Sequence, residues 1–505
     1  RADLLINRVE YPAFLVKTPY CQQEKSGVDH ISQEDLMDAF TVIAAIIIAI
    51  TFLAFIYYCF KGGNLLIGLF SIAVIWTILA TIYMGINGHD ETSTWNLVMS
   101  NIKTVFHDGP VTYGETTAII IFASWFGRVL VDTGIAAALI KRVVELAGDK
   151  QFVTVLVVTL VSSALFMSIF GPGSVIAMGQ IILPIFFSLG VKKELAVGAF
   201  LMSVSSGMYV NGGYVSQFSG HDFFRKLFTE DIDGFNAKFT TFSWVATAVH
   251  IVILILFVIF MYKKTKDSVR TMAVKSAAPK KELPAYTFIV PFIPIIMSLA
   301  VNIVGMFIPA VKGFPVIFNF LMGIFFGLLL TGNLKTYKKA VEATQRTLQN
   351  GISDVALLIG MLGMMNTFAK AAGLVGPIIS AVLGDSLNWI TEKPLIIVIA
   401  FMILAPLALY RGPLMIWGSG IALTGVISTV LTGGNPALIG TFPLLMVLFY
   451  TPPVGITATT CPTQSWNMWA LSYSDYEPGK FVKTNLLWGW AITAINIFLA
   501  YQILM

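Results

Sequence analysis

The sequence predicts an all-α polytopic membrane protein with two inverted repeats, made of plain scaffold helices plus broken helices and re-entrant hairpins. First, 56% of the 505 residues are hydrophobic and 12% are charged, whereas soluble domains carry about 25% charged residues. Second, several segments of about 20 residues lack Asp, Glu, Lys and Arg, which is the length that crosses about 30 Å of hydrocarbon as a helix. Third, Gly-Pro interruptions recur at matching positions in the two halves. These observations exclude a soluble fold.

The plainest predicted spans are Ala39–Phe60, Leu65–Met84, Phe242–Met261 and Leu486–Leu504. Strands of a membrane barrel would instead alternate in polarity over about ten residues. The sequence contains no such series. All spans are therefore predicted to be helices.

Basic residues between the spans predict the orientation and the segments of the chain. The loop 263–283 is rich in Lys and Arg, and such loops favour the cytoplasmic side. Counting crossings from this loop puts the N-terminal stretch outside. We expect an extracytoplasmic segment at 1–37, a first membrane repeat at 38–262, a cytoplasmic linker at 263–283 and a second repeat at 284–505, in a bacterial-type inner or plasma membrane.

Internal repetition organises the rest of the chain. Ile169–Gly179 (IFGPGSVIAMG) aligns with Tyr410–Gly420 (YRGPLMIWGSG), so that Gly-Pro meets Gly-Pro at a separation of 241 residues. Val131–Leu139 aligns in the same way with Lys370–Ile378. Each half contains two plain helices, an amphipathic stretch, a long helix, two broken segments and a closing helix. The amphipathic stretches could lie in the membrane interface or be ordinary loop helices.

An odd number of crossings in each half would insert the halves in opposite orientation, as alternating access requires of inverted repeats. Gly-Pro breaks in apolar segments survive where they are buried in protein or line a cavity. Matched broken helices indicate a substrate site near the midplane, although any one break could be a simple kink. The predicted substrate-binding residues are Gly171, Pro172, Gly173, Ser174, Ser205, Ser206, Asn211, Gln217, Arg411, Gly412, Pro413, Thr459, Thr460 and Gln464.

Charged residues inside spans are functional candidates by default. Arg411 adjoins the second Gly-Pro break, where its guanidinium could hold a carboxylate with two hydrogen bonds. Alternatively, it snorkels to the boundary or neutralises Asp354. Arg128 and Asp132 are four residues apart and are expected to form an ion pair on one helix face. Lys370 could be the partner of Asp354, or Asp354 could carry a proton.

Coupling-ion candidates are Asp354, Asp132 and Thr457. No nucleotide-binding GxxxxGK[ST] motif, zinc motif or hydrolase motif occurs, so the sequence predicts neither an enzyme nor a resident cofactor or metal. Transport would be driven by a gradient of Na⁺ or H⁺. The basic residues of the loops account for the excess of five positive charges. These charges therefore predict no nucleic acid partner, and membrane lipids are expected around the protein.

The stretch Thr117–Lys150 (TAIIIFASWFGRVLVDTGIAAALIKRVVELAGDK) resembles the gluconate and citrate permeases of the ion transporter superfamily. The resemblance implies a homodimer with a scaffold domain, a transport domain and connecting amphipathic arms. It also implies elevator-type symport of a small organic anion, such as a carboxylate, with a coupling ion. A cation/proton antiporter on the same scaffold is the alternative, followed by a channel or a non-transporting scaffold component.

Overall fold

A computed structural model describes residues 33–61, 63–87, 94–147, 150–221, 224–265, 283–308, 314–383, 393–418, 420–421, 423–424 and 442–505. Throughout these ranges the regular structure is helical, and they contain no β-strand. The predicted N-terminal segment and the basic linker lie almost entirely outside the described residues.

The first half contains twelve helices among its described residues. They are α1 (Gln33–Phe60), α2 (Leu65–Asn87), α3 (Thr94–Ile102), α4 (Gly109–Thr112), α5 (Gly114–Asp132), α6 (Ile135–Ala147), α7 (Gln151–Phe166), α8 (Pro172–Ser188), α9 (Lys193–Met208), α10 (Gly212–Ser219), α11 (Arg225–Thr229) and α12 (Phe235–Thr265). A π-helix, Lys103–Asp108, joins α3 to α4.

The described residues of the second half are also helical. Its described helices are α13 (Ile293–Phe307), α14 (Val316–Leu330), α15 (Tyr337–Leu374), α16 (Gly376–Leu383), α17 (Pro394–Leu404), α18 (Phe442–Pro452), α19 (Ala458–Thr460), α20 (Ser465–Ser474) and α21 (Pro478–Leu504). A 3₁₀ segment, Ala405–Arg411, continues α17, and a π-helix, Pro453–Thr457, joins α18 to α19.

The described chain has eight helical segments long and apolar enough to cross a membrane. The pair α9 and α10 would add a ninth span that is bent by 55°. The four predicted plain spans are all helical, and the closing helices α12 and α21 extend beyond the predicted bounds. The chain is therefore an all-α, multi-pass integral membrane protein, as predicted.

Exposed apolar side chains mark the lipid-facing side of the outer helices. In α1, Ile43, Ile46, Ile50, Leu53 and Tyr57 are exposed and recur every three or four residues. This spacing places them on one helix face. A continuous apolar stripe of this kind suits contact with hydrocarbon rather than water.

The amphipathic stretches begin long helical spans in both halves. In the first half, α3, the π-helix, α4 and α5 form one span of 39 residues, Thr94–Asp132, in which Trp95 and Met99 are exposed. In the second half the stretch forms the beginning of α15, a helix of 38 residues. Thr336 caps this helix by accepting a hydrogen bond from the Lys339 amide at 3.4 Å. Both stretches are therefore continuous with the long helices that follow them.

The span Thr94–Asp132, which ends in α5, runs antiparallel to α15. Gly109 lies against the backbone of Thr367, whereas Ser124, further along the span, donates a hydrogen bond to the Gly351 carbonyl at 2.8 Å. Residue numbers therefore rise along one helix as they fall along the other. The two helices cross near Gly351, where the long side chain of Arg128 reaches Asp354.

The closing helices α12 and α21 also run antiparallel. Asn496 lies near Ala246, with its amide nitrogen 3.4 Å from the carbonyl, whereas Trp488 stacks edge-on against Phe257. Contacts are also exchanged between the halves, because α2 packs on α15 and α14 packs on α5. Halves related by a two-fold axis would produce this exchange.

The crossing of α5 and α15 depends on a glycine. Gly351 is buried, and a Cβ built on it would lie 2.8 Å from the Cα atom of Trp125. Backbone cannot move aside as a flexible side chain can, so the two helices approach this closely only where a residue lacks a Cβ. Gly351 thus sets the helix spacing beside the charged residues described below.

Replacing Gly351 with Ala is expected to lower the midpoint temperature of unfolding of the purified protein, because overpacking a close contact costs about 1–3 kcal/mol. Gly360 is the matched control, since it lies in the same helix and a Cβ there would have nothing within 4 Å. Thermal unfolding in detergent measures both variants. Equal midpoints for Gly351→Ala and Gly360→Ala would contradict the close crossing.

Candidate functional site

The first Gly-Pro break separates α7 from α8 and places the start of α8 against α5 and α15. Gly171 has φ +103°, a conformation that glycine adopts readily, and Pro172 begins α8. A Cβ at Gly173 would overlap the carboxylate of Asp354. The hydroxyl of Ser174 is buried and has no hydrogen-bond partner among the described residues. A carboxylate therefore lies beside the positive end of a helix.

Asp354 is held by Arg128 in a two-toothed ion pair. The Nε and Nη2 atoms of Arg128 each donate to one oxygen of Asp354 at 2.6 Å. The same guanidinium lies 3.8 Å from Asp132, which accepts a hydrogen bond from Asn350 at 2.9 Å. The predicted pairing of Arg128 with Asp132 is thus present, but Asp354 is the closer partner. We call Arg128, Asp132, Asn350 and Asp354 the charge cluster.

The charge cluster is largely enclosed, with side-chain exposures of 21% for Arg128, 14% for Asp132 and 8% for Asp354. Its two carboxylates face one guanidinium, so the cluster carries a net charge of −1 when all three groups are ionised. A charge in a poorly hydrated site is stable only when it is neutralised and hydrogen-bonded. The charge cluster therefore has one carboxylate more than its guanidinium can neutralise.

The second break, between α9 and α10, is fastened to the first by Asn211. Its amide nitrogen donates to the carbonyls of Phe166 and Ile169 at 2.9 and 3.0 Å, and its oxygen accepts from the Gly213 and Tyr214 amides. Asn211 thereby pairs carbonyls freed at the end of α7 and amides freed at the start of α10. Because these bonds occupy its amide, its role in the described structure is to join the breaks.

The other predicted residues of this region are also bonded internally. The hydroxyl of Ser205 lies 3.2 Å from Nε2 of His250, and Ser206 donates to the Ser203 carbonyl. The side chain of Gln217 donates to the Gly213 carbonyl at 3.1 Å. His250 is therefore a packed and hydrogen-bonded residue.

In the second half, Thr457 joins the two breaks, and Asn467 makes hydrogen bonds within the later one. Thr457 donates to the Ala408 carbonyl at 3.1 Å, which links the π-helix to the 3₁₀ segment. Asn467 donates to the carbonyls of Thr457 and Cys461. Thr459 and Thr460 are buried and share a hydrogen bond of 2.9 Å. The predicted hydroxyl residues therefore meet, whereas Gln464 lies at the partly exposed start of α20.

Arg411 lies at the end of the 3₁₀ segment, directly before the Gly-Pro break of the second half. It is exposed, and both it and the preceding Tyr410 have left-handed backbone conformations, with φ +62° and +53°. Two consecutive residues of this kind are strained, and such strain collects at functional sites. Gly412 is buried, and a Cβ there would overlap the Leu407 carbonyl. This turn, which continues into Pro413, needs its glycine.

Three tyrosines join the breaks of one half to those of the other. The Tyr450 hydroxyl donates to the Tyr209 carbonyl at 2.7 Å, and the Tyr214 hydroxyl donates to the Tyr450 carbonyl at 3.0 Å. Tyr209 and Tyr450 are 241 residues apart, the spacing of the two Gly-Pro breaks. The four breaks therefore form one continuous polar region inside the protein.

A cavity of about 310 Å³ opens beside the first-half breaks. Its wall combines the break residues Ser168 and Tyr209 with Phe239 of α12 and Ser298 and Asn319 of the second half. The hydroxyl of Ser168 and the amide oxygen of Asn319 are buried without a hydrogen-bond partner in the described structure. None of the described lining residues is charged. The cavity thus offers neutral hydrogen-bonding groups and aromatic surface to a small ligand.

Sequence reasoning missed a buried polar face on α21. Asn485, Thr493 and Asn496 are fully buried, and Asn496 donates to the Tyr209 hydroxyl at 2.9 Å. The signal was present, since positions 485, 493 and 496 share a helix face within an otherwise apolar span. It passed unnoticed because amides and hydroxyls lower hydropathy less than charges do.

The comparisons with known proteins identify a fold but not a family. No protein-family profile matches the sequence, and no curated protein matches it. The solved structure of the YdaH transporter of Alcanivorax borkumensis is similar, with a TM-score of 0.59 and 12% sequence identity over 86% of this chain and 97% of that chain. The chain therefore has the fold of a membrane transporter. The resemblance to gluconate and citrate permeases remains an expectation from the sequence.

The ion pair of Arg128 and Asp354 should contribute more to stability than a surface pair. A double-mutant cycle with Arg128→Gln and Asp354→Asn is expected to give a coupling free energy of about 1–3 kcal/mol. Exposed pairs contribute about 0–1 kcal/mol. Arg142 and Glu145, 3.3 Å apart and exposed, provide the control cycle. Unfolding in detergent–SDS mixtures measures both, and equal couplings would refute an enclosed charge cluster.

Proposed function

We propose that this protein is a secondary active transporter that moves a small organic anion, such as a carboxylate, together with a coupling ion. The observation that carries this proposal is the charge cluster at the start of α8, where a carboxylate already lies beside a helix N-terminus and a guanidinium. The shared fold of a solved transporter supports transport as the general activity.

Asp354 marks the position that a substrate carboxylate would take. Arg128 binds it with two hydrogen bonds, and Gly173 leaves room for it at the helix end. Protonation of Asp354 would remove its negative charge and release the guanidinium. A substrate carboxylate would then pair with Arg128, so that one proton and one anion would be bound together. In this proposal the coupling ion is H⁺ rather than Na⁺.

The cavity would hold the remainder of the substrate. Ser168 supplies an unpaired hydroxyl to the cavity. Gly171 follows three residues later in the same turn, and a Cβ there would lie 3.2 Å from the hydroxyl of Ser124, beside the charge cluster. Substrate contacts in the cavity and ion binding at Asp354 would thus act on one turn. A shared element of this kind is what coupling between two sites requires.

Inverted repeats, an elevator motion and a homodimer belong to the same proposal. The antiparallel pairing of α5 with α15, and of α12 with α21, supports halves of opposite orientation. In such carriers one part of the protein moves against another around a fixed arrangement of binding groups. The joined breaks would form the moving part, and the plain helices would form the scaffold and the dimer contact.

A cation/proton antiporter is the second candidate, favoured by the excess carboxylate in the charge cluster. Such a protein needs an ionisable acid in the membrane but no anion site. The two functions differ in the cargo that crosses the membrane. Proteoliposomes tested both for uptake of carboxylates and for Na⁺- or K⁺-driven proton movement would separate them.

Asp354→Asn is expected to uncouple transport. In proteoliposomes with acid outside, the parent protein should accumulate at least one member of a panel of radiolabelled mono-, di- and tricarboxylates, and a protonophore should abolish the accumulation. The variant, permanently neutral at this position, should still equilibrate the anion but should not concentrate it. Glu145→Gln, at an exposed carboxylate, is the control. Absence of carboxylate uptake by the parent under any ion gradient would overturn the symporter.

Arg411→Ala tests the remaining sequence-based candidate for anion contact. If Arg411 meets the substrate at another stage of the cycle, the variant should need at least about tenfold more substrate for half-maximal uptake, equivalent to about 1.4 kcal/mol. Arg346→Ala is the matched control, because Arg346 is an exposed arginine on α15. Unchanged uptake by Arg411→Ala would leave Arg128 as the proposed anion contact.

A further inference from the structure

A second cavity, of about 330 Å³, lies where the start of α9, the end of α12 and the start of α21 meet. Lysines dominate its wall. It is lined by Lys192, Lys264, Lys480 and Lys483 against a single acid, Glu194. The three elements come from both halves of the chain, so the cavity exists only in the folded protein.

The positive charge of this lysine pocket is only partly compensated. Within the described residues, Lys480 pairs with Glu477 at 3.1 Å, and no described carboxylate lies within ion-pair distance of the other three lysines. The helices α9 and α21, of 16 and 27 residues, begin beside the pocket and direct their positive ends toward it. The negative C-terminal end of α12 also lies beside the pocket, and Lys264 of the same helix offsets its partial charge. A bound anion would therefore be stabilised by side chains and by helix termini.

The helix faces that carry two of these lysines continue as exposed apolar surface. Phe260 is one turn before Lys264 on α12, and Leu256 is one turn further; both are about half exposed. Leu487 is one turn after Lys483 on α21 and is 71% exposed. Trp488 packs between the two helices, 5.7 Å from Phe260. A polar, cationic pocket is thus joined directly to a hydrocarbon-compatible groove.

We propose that the lysine pocket binds the headgroup of an anionic phospholipid whose acyl chains lie along Leu256, Phe260 and Leu487. The phosphate and further negative charge of the headgroup match the excess of lysines, and the chains match the adjoining apolar faces. Basic pockets between membrane helices at the interface suit such lipids. A zwitterionic lipid has no net negative charge to pair with the lysines. A free phosphate ion has no apolar part to contact the exposed apolar faces. The site is separate from the charge cluster and does not depend on the proposed function.

The test uses the full chain, purified in neutral detergent and stripped of lipid, with dioleoylphosphatidylglycerol, dioleoylphosphatidylcholine and inorganic phosphate as probes. Native mass spectrometry measures bound lipid, and thermal unfolding measures stabilisation. The parent should retain phosphatidylglycerol in preference to phosphatidylcholine. Lys192→Gln/Lys264→Gln/Lys483→Gln should weaken phosphatidylglycerol binding at least tenfold. Lys335→Gln/Lys338→Gln/Lys339→Gln, at three exposed lysines of the loop and first turn of α15, should bind like the parent.

Leu487→Ser distinguishes a lipid from a free ion. It should weaken phosphatidylglycerol binding several-fold without changing any effect of inorganic phosphate. Lys264→Gln alone should cause an intermediate loss of phosphatidylglycerol binding. This single variant replaces the triple variant in the test if the triple variant elutes abnormally on gel filtration. Equal phosphatidylglycerol binding by parent and triple variant would overturn the proposal. So would equal binding of both lipids, or stabilisation by inorganic phosphate alone with no effect of Leu487→Ser.

Discussion

A helix that breaks inside a membrane releases backbone carbonyls and amides that hydrocarbon cannot hydrogen-bond, and this constraint explains most of the polar interior of the protein. Asn211 satisfies both first-half breaks at once, and Asn467 and Thr457 serve the second half in a similar way. Tyr209, Tyr214 and Tyr450 then join the halves. The breaks are tolerated because they satisfy one another, and a protein without them would need few of these polar residues.

The contact of α5 with α15 has a different character, because it combines close backbone packing with enclosed charge. Gly351 brings the helices together, and the Ser124 hydroxyl bonds across the contact. Only a few residues away, Arg128 and Asp354 pair beside the start of α8. The close contact of the two helices therefore positions the groups of the charge cluster.

Fold class and helix positions could be predicted because hydropathy reports burial in lipid directly. The pairing of Gly171-Pro172 with Gly412-Pro413 as repeated elements rests on their matched spacing and stays a prediction. The closer ion-pair partner of Arg128 could not be predicted from the sequence, because Asp354 lies 226 residues away along the chain. Asp132 lies four residues away, and only this local spacing can be seen in a sequence. For the same reason Asn211 was expected at a ligand, although its amide joins two helix ends. The role of Arg411 as an anion contact remains a prediction, since no described contact tests it.

The long helices of the two halves are longer than a bilayer is thick. Thr94–Asp132 runs as one helical span of 39 residues, and α15 has 38. At 1.5 Å per residue α15 is roughly 57 Å long, whereas the hydrocarbon core measures about 30 Å. A helix of this length fits only by tilting or by leaving its polar first turns outside the hydrocarbon. The amphipathic beginnings of both helices suit the second arrangement, in which the lipid headgroups surround them.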